Sequence, residues 1–178
     1  MVFILGHLGF GVYFGKKIFS HLSSKKIFYL LSGSLLPDLI DKPLFFFLKN
    51  QWSWISGTRT FGHTFIFVFS LYLVGKIFKK ENWKILSFAC FLHIFFDHFI
   101  DIFNIDSDFS IYSNRIAGMF WPFLGNRFLI YDFKNIEEYL FSKVRILNYI
   151  LEVFGLFLIY KEREDFKKIT KFFLNSET

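Results

Sequence analysis

Ionisable side chains interrupt the long apolar runs of this sequence at His7, Asp38, Asp41, His63, His93, Asp97, His98 and Asp101. Such groups are costly in apolar surroundings, so their types and spacing carry information. From His93 to Asp101 the chain reads H-I-F-F-D-H-F-I-D. His93, Asp97 and Asp101 stand at i, i+4 and i+8, within about 80° of one helical face, while His98 lies off that stripe. A His and an Asp one turn apart can ligate one metal ion, or two ions close together. A hydrogen-bonded core His with a capping Asp fits the same spacing.

Three further segments add candidates. L-L-P-D-L-I-D-K-P, from Leu35 to Pro43, places Asp38 and Asp41 at i, i+3 between two prolines. The prolines predict a helix that breaks or restarts there. Broken backbone at membrane depth is tolerated where it lines a cavity or is buried in protein. Interfacial helix capping accounts for one of these acids better than for both. T-R-T-F-G-H-T, from Thr58 to Thr64, sets His63 at the start of an apolar stretch with Gly62 making room beside it. Arg59 could hold an anion such as phosphate, or snorkel to an interface. His7 lies in G-H-L-G-F-G and alone fits a satisfied core residue, and His21, among Ser and Lys, reads as solvated.

The elements that carry these residues follow from composition. The chain has 178 residues, 53% hydrophobic and 20% charged, with 30 Phe, 4 Trp and 8 Tyr and a net charge of +6. So many aromatics overfill the interior of a soluble domain of this length, and a mean hydropathy of +0.39 points the same way. Disorder is excluded by the hydrophobicity, and a disulfide scaffold by the single Cys90, which reads as packing. The basic residues form short clusters between apolar runs rather than one stripe, which fits membrane-flanking loops better than nucleic-acid binding. An all-α polytopic membrane bundle is the class that remains.

Apolar stretches cover residues 2–19, 27–48, 61–78, 83–105, 116–131 and 144–160. The first lacks a basic flank before it and a small-residue cleavage site after it, so it reads as a helix rather than a signal peptide. Gly118, Pro122 and Gly125 make 116–131 a poor continuous helix, and it is expected to be re-entrant or interfacial. Lys16, Lys17, Lys25 and Lys26, the four lysines between 76 and 84, and five basic residues of the tail then fall on one side. Lys42, Lys49, Arg59, Arg115, Lys134, Lys143 and Arg145 fall on the other, and Arg127 lies inside a stretch. The positive-inside rule gives five crossings with the N-terminus outside. Residues 1–160 form a single transmembrane domain and 161–178 a short charged cytoplasmic tail, read as a solvated helix. Trp52, Trp54, Trp83, Trp121 and Pro122 read as interface anchors.

This topology tests the candidates. His7, Asp38, Asp41, His63, His93 and Asp97 all fall toward the extracytoplasmic side, although charge counting alone set that side. Scattered structural histidines would not do so, which favours a shared metal site. Mixed His and carboxylate donors suit zinc, and also manganese or iron.

The ordered set of segments resembles a known family. H-L-G-F-G at His7, L-P-D-L-I-D at Asp38 and Asp41, R-T-F-G-H-T at His63, H-I-F-F-D at His93 and F-W-P-F at Trp121 look like the YdjM-like membrane-bound metal-dependent hydrolases, over residues 1 to about 125. The His/Asp pattern is similar to that of zinc-dependent phospholipase C and the P1-type nucleases. The resemblance implies an all-helical fold and phosphoester hydrolysis, with His7, Asp38, Asp41, His63, His93 and Asp97 as the metal-site residues. One departure is that the family's His-Arg-x-x-Thr-His segment here lacks its first His, with Thr58 before Arg59. On this reading a metal-activated water attacks a phosphoester or lipid-like substrate, with membrane lipids as surroundings and a phospholipid as a candidate substrate. Asp41 is a bridging ligand or orients a His, Arg59 holds the substrate anion, and no nucleic acid is expected. The rival readings are a proton- or ion-coupled transporter and a non-catalytic membrane scaffold. A transporter predicts polar residues through the whole membrane depth, and the cytoplasmic halves here are nearly all apolar.

Overall fold

Several apolar stretches begin where a hydroxyl can cap a helix. Ser23 Oγ accepts from Lys26 N at 3.4 Å, Thr64 Oγ1 from Phe67 N at 3.2 Å and Ser142 Oγ from Arg145 N at 3.2 Å. Each satisfies a backbone donor that the first helical turn leaves without a partner. The computed structural model describes residues 4–19, 22–51, 58–103, 117–125 and 136–174. In chain order the helices are α1 (Ile4–Ile18), α2 (Ser24–Leu48), α3 (Phe65–Ile77), α4 (Glu81–Phe103), α5 (Ile136–Phe141), α6 (Lys143–Lys161) and α7 (Arg163–Leu174). Single 3-10 turns cover Phe61–His63 and Gly118–Phe120. The described residues contain no strand, in keeping with the all-α expectation.

Helix α4 is the centre of the arrangement and packs against α2, α3 and α1. Helix α1 lies between α2 and α6, and the Phe61–His63 turn rests on α2. Leu30, Ile85 and Ala89 form one buried cluster between α2 and α4. Between α3 and α4 the chain reverses through Lys79, in the left-handed region at φ 53°, with Lys80 N bonded to Gly75 O at 2.9 Å.

Two expectations need correction. Helix α2 does not break at the prolines: it runs from Ser24 to Leu48 with Pro37 and Pro43 inside it. Each proline removes one backbone donor, and the remaining ladder carries the helix through. Pro37 takes the helical donor from the Gly33 carbonyl, and one residue on the Ser34 carbonyl accepts from His93 Nδ1 at 2.7 Å, which ties this turn of α2 to α4. The charged segment after Lys161 is not left in solvent either. Helix α7 lies against α2, with Ile169 in a buried cluster with Val12 and Ile27 and with Asp165 6% exposed. Phe166 and Ile169 pack against Val12 and Ile27 while Glu164, Lys167 and Lys168 stay exposed, so burial wins for the apolar side.

The described residues include no helix long and apolar enough to cross a membrane. Helices α1 and α3 have 15 and 13 residues, about 22 and 20 Å at 1.5 Å per residue. The longer α2, α4 and α6 are interrupted by charge, including Asp38, Asp41, Asp97 and Glu152. Yet large apolar side chains face outward: Phe46, Phe47, Phe69, Val153 and Phe157 are all more than half exposed. Of the 116–131 stretch, residues 117–125 form the 3-10 turn and the bend after it, with Phe120 against Phe65 and Trp121 against Phe61. The rest of that stretch lies outside the described residues. So do His21, Trp52, Trp54, Arg115 and Lys134, and the side chain of Asp101.

Candidate metal centre

The candidate residues arrive from four places in the chain: His7 from α1, Asp38 and Asp41 from α2, Arg59 and His63 from the segment before α3, and His93 and Asp97 from α4. All are buried, with His63, Asp41 and Asp97 at 0% exposure. Helical spacing accounts for two of the pairs, since i, i+3 and i, i+4 residues share a face. The approach of His63 needs Gly62. A Cβ there would stand 2.8 Å from the Pro37 carbonyl oxygen and 3.0 Å from Asp41 Oδ1.

Asp41 organises this half of the centre. Its Oδ2 accepts from Thr60 N at 2.7 Å, His63 N at 3.1 Å and His63 Nδ1 at 2.7 Å. Its Oδ1 accepts from Thr60 Oγ1 and Gly62 N, both at 2.7 Å. A carboxylate receiving five donors is ionised and has little acceptor capacity left. It clamps the loop onto α2 and fixes the His63 ring, so of the two roles expected for Asp41 the geometry favours orienting a histidine.

The ring nitrogens now have assignable roles. The Ser34 carbonyl only accepts, so His93 Nδ1 carries the proton. Asp41 fixes the same tautomer on His63. Both histidines therefore turn Nε2 away from those acceptors, and the two Nε2 atoms face each other at 3.3 Å. His7 stacks on His93 with ring centroids 3.7 Å apart. Among the described residues neither buried ring nitrogen of His7 makes a hydrogen bond. Its Nε2 lies 3.4 Å from Asp97 Oδ1, while Asp97 Oδ2 lies 3.5 Å from His63 Nε2 and 3.3 Å from Arg59 Nη2. Asp38 Oδ2 accepts from Lys42 Nζ at 2.8 Å. Its buried Oδ1 makes no hydrogen bond among the described residues and faces His63 Nε2 at 3.8 Å.

These atoms pass a test of fit for a metal ion. Four donors about 2.1 Å from a tetrahedral ion stand about 3.4 Å apart. The observed separations of 3.3, 3.4, 3.5 and 3.8 Å bracket that value. Two donor groups overlap, His7 with His93 and Asp97, and Asp38 with His63 and His93. They share His93, whose one available lone pair serves one ion at a time. Asp38 meets Lys42 and Asp97 meets Arg59, while Asp41 meets His63.

Residues 1–166 match the YdjM inner membrane protein family. The chain belongs to that family. No curated protein and no solved structure matches it. The family is one of inner membrane proteins and the match spans every residue of the centre; it does not extend to phospholipase C or the P1-type nucleases. Sequence reasoning passed over four residues that the structure brings to this centre. Thr60 and Ser34 hold Asp41 and His93, Lys42 holds Asp38, and Glu152 bonds to the first turn of α1. Glu152 had a signal, since it is the only acid in the last apolar stretch. The Ser34 carbonyl had none, because every residue has a backbone carbonyl.

Proposed function

We propose that this YdjM-family chain is a membrane-embedded metal-dependent hydrolase of a phosphoester or lipid-like substrate, with its centre at the extracytoplasmic face. The observation that carries the reading is the pair of Nε2 atoms turned toward each other and toward carboxylate oxygens in a buried space. Ring nitrogens and carboxylate oxygens converging on one buried point form a donor set that a cation can occupy. His7, Asp38, His63, His93 and Asp97 would hold the ion, which suits zinc, with manganese or iron as alternatives. A metal ion held there supplies Lewis-acid activation of water and of a substrate oxygen.

The chain's own residues do the rest. Asp41 and the Ser34 carbonyl keep the Nδ1 protons of His63 and His93 pointing outward, so both Nε2 atoms stay available. Arg59, beside Asp97, offers donors to the substrate anion. Five helical crossings with the N-terminus outside would set the centre within reach of lipid headgroups, and the outward Phe side chains would face acyl chains. A substrate drawn from the bilayer then needs no water-filled path.

The test is metal content by mass spectrometry on protein purified in detergent without chelator. Wild type, His93→Ala and Asp38→Ala are compared, followed by turnover of a chromogenic phosphodiester and of phospholipids. Metal in wild type that is lost in both variants, with matching loss of turnover, is the expected result. Wild type free of metal ends the proposal.

A further inference from the structure

His7 is the candidate ligand with the least local support. Asp41 holds His63 and the Ser34 carbonyl holds His93, but His7 makes no hydrogen bond among the described residues and rests on the face of the His93 ring. Where its nitrogens stand therefore depends on where α1 stands. Across the bundle, Glu152 of α6 reaches the first described turn of that helix. Leu5 N donates to Glu152 Oε1 at 3.1 Å, and Gly6 N donates to Glu152 Oε2. First-turn N–H groups have no partner within their helix, and the dipole there favours a negative charge. The approach requires close backbones. A Cβ on Gly155, three residues after Glu152, would lie 2.6 Å from the Leu5 carbonyl oxygen and 2.7 Å from Gly6 N.

We infer that Glu152 is a positioning residue of the metal centre: its carboxylate holds the first turn of α1 and thereby sets His7, the next residue, against His93 and Asp97. The inference rests on the proposed metal centre and extends it to a helix that supplies no ligand. An acid within an apolar stretch gains a defined task, and both of its oxygens are used for it.

A double-mutant cycle in zinc(II) affinity tests this, on full-length protein in detergent. His7→Ala and Glu152→Gln should each weaken zinc about 10-fold or more, the range seen when a supporting partner is removed. The double variant should be no weaker than His7→Ala alone, because Glu152 acts only through His7. Additive losses would overturn the inference. Glu152→Asp, which keeps the charge, should bind zinc more tightly than Glu152→Gln; the reverse order counts against the inference, and this pair keeps the test open if the double variant does not fold. Hydrogen exchange needs no metal: the Leu5 and Gly6 amides should be protected in wild type and exchange about 10-fold faster in Glu152→Gln. Wild type that binds no zinc ends the metal proposal, and the cap is then decided by these two amides alone. Equal exchange in both proteins refutes it.

Discussion

Polar side chains gather at two ends of this molecule, and the ends are built on opposite rules. At the end where α1 closes and α7 docks, Lys16 pairs with Asp165 at 2.6 Å and with Glu162, Lys168 pairs with Asp165 at 2.6 Å, and Lys26 pairs with Glu81 at 2.9 Å. Lys17 and Lys161 lie over the Tyr13 ring. Each of these cations meets an anion or a ring face, and most of the side chains are partly exposed. At the other end His7, Asp38, His63, His93 and Asp97 are buried, and their ring nitrogens and carboxylate oxygens are gathered on one another. The first end completes itself with its own charges. The second gathers donors of the kind that hold a metal ion, which is why the proposed metal attaches to it and not to the more highly charged end.

The largest test of this contrast is Asp41→Ala. It removes one carboxylate from five donors, all of them on the His63 loop, in a fully buried site. A loss of about 3–5 kcal/mol in unfolding free energy is expected, the scale for breaking a buried charged network. A denaturant titration in detergent checks it, and a change under 1 kcal/mol would show that the centre does not depend on this carboxylate. Next is metal removal. If the ion is bound at about 100 times its Kd, a chelator should cost about 2.7 kcal/mol. The loss should appear in thermal melts of wild type and vanish in His93→Ala.

Gly62→Ala comes third. The added methyl meets a backbone oxygen and Asp41, so about 1–3 kcal/mol of overpacking is expected, with weakened metal binding. The smallest effect lies at the self-paired end. Lys16→Met should cost about 1 kcal/mol or less, because Lys16 is partly exposed, and should leave metal content unchanged. Burial raises the Asp165 pKa, but hydrogen bonds from Lys16 and Lys168 outweigh it and hold the group below its ordinary value. A depressed carboxylate stabilises the fold above its unfolded pKa and loses that contribution as pH falls through the folded one. The docking of α7 should therefore be constant from pH 5 to 8 and loosen only below about pH 4. Cysteine-accessibility labelling at Ile169→Cys would report it, and loosening near pH 6 would refute the assignment.

Part of this was legible in the chain. His93 with Asp97 and Asp38 with Asp41 are pairs that helical geometry turns to one face, so the residues alone nominated them. The continuity of α2 through Pro37 and Pro43 was not legible, since a proline signals a lost donor but not whether a neighbouring helix compensates. Helix α7 misled for a related reason: its charges are visible in sequence, while the partners of its apolar face, Val12 and Ile27, come from distant segments.

The sequence by itself determined the helical class, the apolar stretches, the family and the residue types able to bind a metal. These depend on composition, on motif order and on a period of 3.6 residues, all local quantities. Only the tertiary structure decided that Asp41 serves His63, that a Ser34 carbonyl fixes the proton on His93, and that Glu152 reaches α1 from nearly 150 positions away. Those assignments rest on which donor meets which acceptor. That is settled by how the helices pack, and no spacing along one chain encodes it.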